Sequence, residues 1–404
     1  MRTFVSKRAS ELKPSGIRKF FDIVATQKDV ISLGVGEPDF ITPWEIRTAG
    51  INAIKKGYTQ YTSNSGLLEL RKEISIYLKN RFNVDFKENE MVITVGASEG
   101  IDLSLRAIVD EGDEVLVPDP SYVSYSPIIE LVGGKAVSVP CSGENGFKLL
   151  PEMLEKVITK KTKAIIFPYP NNPTGGIMEK EYIDALIPII LKHDLLVISD
   201  EIYAELTYGT KHYSICSVPE LKDRVVLISG FSKAFAMTGW RVGFIAGPKE
   251  VMSAVLKIHQ YGAICAPIFS QYAALEGLVD GKKDDFATIN YMTEEYDVRR
   301  KFMYKSFIEM GLDCFEPKGA FYIFPSVKSL GITGDEFAEK LLKEENVAVV
   351  SGSAFGDCGK YFIRCSYAYS MENLVKAMAK IKNFVERCKK WKGRGCPSFS
   401  TKEN

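Results

Sequence analysis

Short runs of apolar, mostly β-branched residues alternate with longer amphipathic stretches through the middle of the chain. The runs are MVITV at 91–95, EVLVP at 114–118, KAIIF at 163–167, LLVIS at 195–199, RVVLIS at 224–229 and VGFIAG at 242–247. They are continuous in apolar residues and bounded by turn formers, so they read as strands buried on both faces. Between them lie segments with helical spacing, such as EGIDLSLRAIVDEG and EKEYIDALIPIILKHD. Strand and helix in alternation predict an α/β fold: a mostly parallel sheet covered by helices on both sides.

From about residue 291 the pattern changes. A helical stretch, EEYDVRRKFMYKSFIEMG, leads to GAFYIFPSV, another helical stretch, VAVVSGSAF, YFIRCSYA and a final helix. That order predicts a smaller α+β domain. The first 45 residues, with the amphipathic GIRKFFDIVATQ and the loop GVGEPDFITP, are expected to join it or to bridge the two. The expected division is a large domain over 46–290 and a discontinuous small domain of 1–45 and 291–404. The basic, aperiodic CKKWKGRGCPSFSTKEN, from residue 388 onward, reads as a frayed tail.

Composition narrows the function by exclusion. The 404 residues are 46% hydrophobic and 25% charged, with 52 basic against 51 acidic side chains and a net charge of +1. Such a balance gives no electrostatic support for nucleic-acid binding. No apolar run approaches the roughly 18 residues that span a bilayer, and the N-terminal stretch lacks the apolar core of a secretory signal. Eight cysteines without a CxxC pair read as reduced thiols, and three scattered histidines (His193, His212, His259) lack ligand spacing. The expectation is a cytoplasmic protein using neither a metal nor a histidine triad.

Ligands of open α/β sheets bind beyond the carboxyl ends of the strands. Here the runs are followed by GASEG, PDPSY, PYPNNPTGG, DEIY and GFSKAFAMTGWR. Asp200 ends an apolar strand, where its carboxylate needs a cation or donors; a helix cap or ion pair accounts for it as well as a grip on a protonated heterocyclic nitrogen does. Tyr203 could offer its hydroxyl to the same ligand. Lys233 reads alone as a surface lysine, yet a shielded lysine beside a second cation, Arg241, suits an amine nucleophile next to a phosphate. Gly96, Ala97 and Ser98 open a helix and present free N–H groups to an anion, without matching a P-loop or a dinucleotide loop. The stretch from Asn171 to Gly175 forms a tight turn.

Taken in order, NNPTG, SDEIY, GFSK and GWRVG, with LGVGEPDF before them and GAFYIFP and GSAFG after, resemble the class I/II aminotransferases. These are fold type I enzymes dependent on pyridoxal 5′-phosphate, and the resemblance runs from about Ser15 to Val385. It implies a seven-stranded sheet in the large domain. It implies further that Lys233 bonds the cofactor as a Schiff base and later shuttles a proton, and that Asp200 keeps the pyridine nitrogen protonated. Tyr203 and Asn172 would hydrogen-bond the ring oxygen, Tyr122 would stack on the ring, and Gly96, Ala97, Ser98 and Arg241 would hold the phosphate. Arg364, in an otherwise apolar strand, would bind the substrate α-carboxylate, with the Gly36 backbone and Asn172 beside it. Family members are homodimers, and Tyr61 would reach the partner's phosphate.

Two departures bear on the substrate. Dicarboxylate-specific relatives carry an arginine where Tyr261 stands, and a serine is common at the place of Gly230. The expected reaction is transfer of an L-amino acid's amino group, with an aromatic donor first, to a 2-oxo acid such as 2-oxoglutarate in a ping-pong cycle. Aspartate or alanine as donor, a C–S lyase or cyclising synthase on the same fold, and, last, a non-catalytic cofactor-binding regulator remain open.

Overall fold

A computed structural model describes residues 4–12, 14, 16 and 29–393 of the chain. The segment GIRKFFDIVATQ lies, apart from Gly16, outside them. The strands are β1 (Ile31–Ser32), β2 (Met91–Thr94), β3 (Glu114–Asp119), β4 (Lys135–Pro140), β5 (Thr162–Phe167), β6 (Leu196–Asp200), β7 (Val225–Gly230), β8 (Gly243–Ala246), β9 (Tyr322–Ile323), β10 (Val347–Ala348), β11 (Val350–Ser351) and β12 (Ile363–Ser366). The longer helices are α1 (Trp44–Lys55), α2 (Leu68–Phe82), α3 (Ala97–Ile108), α4 (Lys180–Lys192), α5 (Lys249–Gly262), α6 (Ile268–Gly281), α7 (Ala287–Glu309), α8 (Gly334–Glu345) and α9 (Met371–Gly393).

Seven strands form one sheet in the order β2-β8-β7-β6-β5-β3-β4. Neighbours from β7 through β4 are parallel, and only β8 runs against the rest. All six apolar runs are strands of this sheet. The seventh, β4, escapes a search for apolar runs because it is an edge strand, with one buried residue, Val139, among its six. Buried side chains fill both faces of the sheet, Leu116, Ile165 and Val197 on one and Val115, Ile166 and Ile198 on the other.

Beyond the large sheet, β11-β12-β9 make a three-stranded antiparallel sheet, and β1 pairs in parallel with β10, Ile31 opposite Val347. VAVVSGSAF is thus two short strands belonging to different sheets. A capping box starts α8: Thr333 Oγ1 accepts from the Glu336 N–H at 3.2 Å and Glu336 answers the Thr333 N–H at 2.8 Å. The chain end departs from expectation. Helix α9 continues to Gly393, with Cys388 buried at 6% exposure and Lys389 donating to the Met310 carbonyl, so fraying does not begin at 388. The packed face of α9 outlasts the apolar periodicity visible in the sequence.

Candidate active site

Because β2, β3, β5, β6 and β7 are mutually parallel, their carboxyl ends meet at one edge of the sheet. Strand β8 runs the other way, so Arg241, two residues before it, arrives at that same edge. A cleft of about 350 Å³ opens there, lined by residues that include Gly36, Ala97, Ser98, Tyr122, Asn172, Asp200, Tyr203, Lys233, Arg241 and Arg364. Gly96 lies buried just behind Ala97. Tyr61 stands apart from the cleft, 78% exposed, and Tyr261 is 87% exposed.

The strand-to-helix turn after β2 makes a candidate anion cradle. Gly96 is the N-cap of α3 with φ 78°, a conformation that costs other residues a clash. A Cβ at Gly243 would lie 2.7 Å from the Gly96 carbonyl carbon, so glycine lets β8 pass close enough for Arg241 to reach the turn. Arg241 donates to the Thr238 carbonyl at 3.0 Å and to the Val95 carbonyl at 3.3 Å. The first-turn N–H groups of α3 and this guanidinium face a common space, an arrangement suited to a phosphate.

Asp200 ends β6 with 6% exposure. Tyr125 donates to its Oδ2 at 2.8 Å and the Ile202 N–H to its Oδ1 at 3.3 Å. Burial nevertheless pushes its carboxyl up to about 6, against those hydrogen bonds. A buried carboxylate in that state gains from a cationic partner. Lys233 is partly buried and donates to the Gly36 carbonyl at 2.6 Å. Burial lowers its ammonium to about 8; Glu37 opposes the shift, while Arg364 and Arg241 reinforce it.

Arg364, in the middle of β12 with 3% exposure, donates to Asn172 Oδ1 at 2.9 Å and to the Gly34 carbonyl at 2.6 Å. Its guanidinium lies 4.5 Å from the centre of the Tyr322 ring, and its Nε is buried without a partner. A guanidinium that lines a cleft and holds each Nη by a single bond keeps further N–H groups suited to a carboxylate. Tyr203 shares a 2.9 Å hydrogen bond with the Tyr322 hydroxyl. Tyr125 and Tyr322, both in the cleft, carry no role in the sequence reading. Tyr125, three residues after Tyr122 in PDPSYVSY, could have been found by that spacing; Tyr322 stands inside the quoted GAFYIFP.

The pattern of residues 28–381 matches the model of the family described as aminotransferase class I and II. The chain belongs to that family. This aminotransferase is 50% identical to the putative aminotransferase YugH of Bacillus subtilis over 96% of its own length and 100% of the relative's. It is 45% identical to an aspartate aminotransferase of Pyrococcus abyssi, covering 95% and 99% of the two chains. The crystal structure of an aromatic aminotransferase from Pyrococcus horikoshii superimposes with a TM-score of 0.87 at 42% identity, over 92% and 99% of the chains. The enzyme is therefore a transaminase dependent on pyridoxal phosphate. Its cleft fits the cofactor on its own terms: an amine of lowered basicity, a buried carboxyl short of a cation, and an anion cradle occupy three sides of one space.

Proposed function

We propose that this aminotransferase takes its amino group from an aromatic L-amino acid and delivers it to 2-oxoglutarate. The observation that carries the site assignment is the meeting of Lys233, Asp200 and Arg364, from three distant segments, around one cleft. When bound, pyridoxal phosphate supplies an electron sink conjugated to the substrate Cα. Lys233 Nζ, with its lowered basicity, would be the base that holds and moves the proton of the substrate Cα. Asp200 would keep a proton on the ring nitrogen, a cation that its buried carboxylate would gain from. Arg364 grips the α-carboxylate through its guanidinium, and Asn172 fixes the guanidinium plane. Asn172 and Tyr203 would hydrogen-bond the cofactor's ring oxygen, Tyr122 would stack on its ring, and Gly96, Ala97, Ser98 and Arg241 would hold its phosphate. Gly36 offers its backbone at the mouth.

Three features support the aromatic donor. Tyr122, Tyr125, Tyr322, Pro168 and Pro170 line the cleft. Among its described lining residues Arg241 and Arg364 are the only arginines, and both are assigned above. The resemblance puts Tyr261 where dicarboxylate-specific relatives carry an arginine. A donor panel with 2-oxoglutarate as acceptor tests the reading: kcat/KM for phenylalanine or tyrosine should exceed that for aspartate by about tenfold or more. A preference for aspartate or alanine would overturn it, and ammonia and pyruvate released without an acceptor would mean a lyase.

The reading extends to a cytoplasmic homodimer. Ile41, Trp44, Ile54, Tyr61 and Tyr261 are more than half exposed, and Ile41 and Ile54 line one open hollow, apolar surface that a second copy would cover, with Tyr61 reaching the partner's phosphate. The seven described cysteines are all free, as expected of a reducing compartment. The pairing of β1 with β10 supports the division into 46–290 and a small domain of 1–45 with 291–404. No described helix is long and apolar enough to cross a membrane.

A further inference from the structure

Beneath the phosphate cradle lies a pair that the mechanism above does not use. Glu99 stands in the first turn of α3, two residues after Ala97, and its side chain is 17% exposed. Its Oε2 accepts the Val95 N–H at 2.5 Å, and its Oε1 faces Nδ1 of His259 at 3.1 Å. His259 comes from the last turn of α5, which packs along α3. Its side chain has no exposure, and its other ring nitrogen is buried without a partner. An imidazole sunk that deep with one unsatisfied nitrogen costs stability, so its one bond is worth a close look.

The geometry around Val95 shows what that bond does. The Val95 N–H is held by Glu99, while the Val95 carbonyl accepts from Arg241. The same residue is thus gripped from below by the Glu99–His259 pair and from above by the cation assigned to the phosphate. Glu99 also carries a negative charge at a helix N-terminus that is to receive a phosphate. Free to swing, that carboxylate would compete with the phosphate for the first-turn N–H groups and for Arg241. Pinned on one oxygen by a backbone N–H and on the other by a buried ring, it points away.

We infer that His259 and Glu99 are positioning residues for the cofactor phosphate: His259 holds the Glu99 carboxylate off the cradle, and Glu99 fixes the Val95–Gly96 turn on which Arg241 rests. The inference depends on the reading of Gly96–Ser98 and Arg241 as the phosphate site.

The test measures dissociation constants of pyridoxal phosphate, and of pyridoxal without the phosphate, for apoenzyme prepared from the holoenzyme. His259→Leu should weaken pyridoxal phosphate binding about tenfold and leave pyridoxal unchanged. His259→Gln, which can still donate to Glu99, should bind the cofactor like wild type. His259→Leu combined with Glu99→Gln should recover most of the loss, because no charge remains to be restrained. Equal weakening for pyridoxal and its phosphate, or no recovery in the double variant, would overturn the inference by making His259 a packing residue only. Should His259→Leu not fold, His259→Gln carries the test with Glu99→Asp, whose shorter arm reaches neither partner: Glu99→Asp then loses phosphate-dependent affinity while His259→Gln keeps it, and equal affinity in both overturns the inference. If wild type binds pyridoxal as tightly as its phosphate, the phosphate site itself is misassigned, an outcome distinct from the others.

Discussion

Two residues at the cleft carry opposite strains, and each leaves a signature in the pH dependence of the cofactor-free protein. Asp200 is raised from 3.8 to about 6, so the native state binds more protons than the unfolded state between those values. Its favourable contribution is full below 3.8 and is lost as pH rises through about 6. Lys233 is lowered from 10.5 to about 8; its contribution is present above 10.5 and is lost as pH falls through about 8. Urea unfolding of the apoenzyme should therefore weaken from pH 4 to 6, by on the order of 2–3 kcal/mol from Asp200. Asp200→Asn should flatten that limb and Lys233→Met the alkaline one; unchanged limbs in both variants would refute the burial argument. The sequence made Asp200, Lys233, Arg241 and Arg364 legible because each sits at a strand end or inside an apolar strand, in a recognisable order. Tyr125 and Tyr322 stayed silent because their meaning lies in hydroxyl partners 75 and 119 residues away. The Glu99–His259 pair spans 160 residues and was invisible for the same reason.

At the scale of elements, periodicity reports burial and says little about direction or edges. The six apolar runs were readable because both faces of their strands are covered, whereas β4 exposes most of its residues and looks like loop. The reversed direction of β8 is absent from any apolar pattern, yet it is what carries Arg241 to the ligand edge. A second positional device ties the loop 34–40 to α7. Arg299, 8% exposed, donates to both Asp39 oxygens at 2.8 and 2.9 Å and lies over the rings of Phe40 and Tyr296. Gly34, Gly36 and Glu37 of that loop line the cleft. Asp39→Ala should cost about 2 kcal/mol in urea unfolding, because it leaves the nearly buried guanidinium only Glu295 at 3.8 Å, and should raise KM for the amino donor more than it lowers kcat. An unaltered unfolding midpoint would show that the pair does not anchor the loop.

Across the whole molecule, a net charge of +1 suits the proposed site, whose cations Lys233, Arg241 and Arg364 would serve small anions. The exposed apolar side chains of α1 and the loops beside it make the assembly a physical question, since a face of that kind is costly in water. If the proposed dimer forms, Ile54→Asp should weaken self-association by about tenfold or more in sedimentation equilibrium, and with it the cofactor retention proposed for Tyr61; a wild-type protein sedimenting as a monomer would contradict the dimer. The central claim is that Lys233 is the amine to which the cofactor is joined. Borohydride reduction of the holoenzyme, followed by peptide mapping, measures this directly. The account predicts a phosphopyridoxyl group on Lys233 alone, with no label and no turnover in Lys233→Ala. A label on another lysine, or normal turnover in that variant, would contradict it.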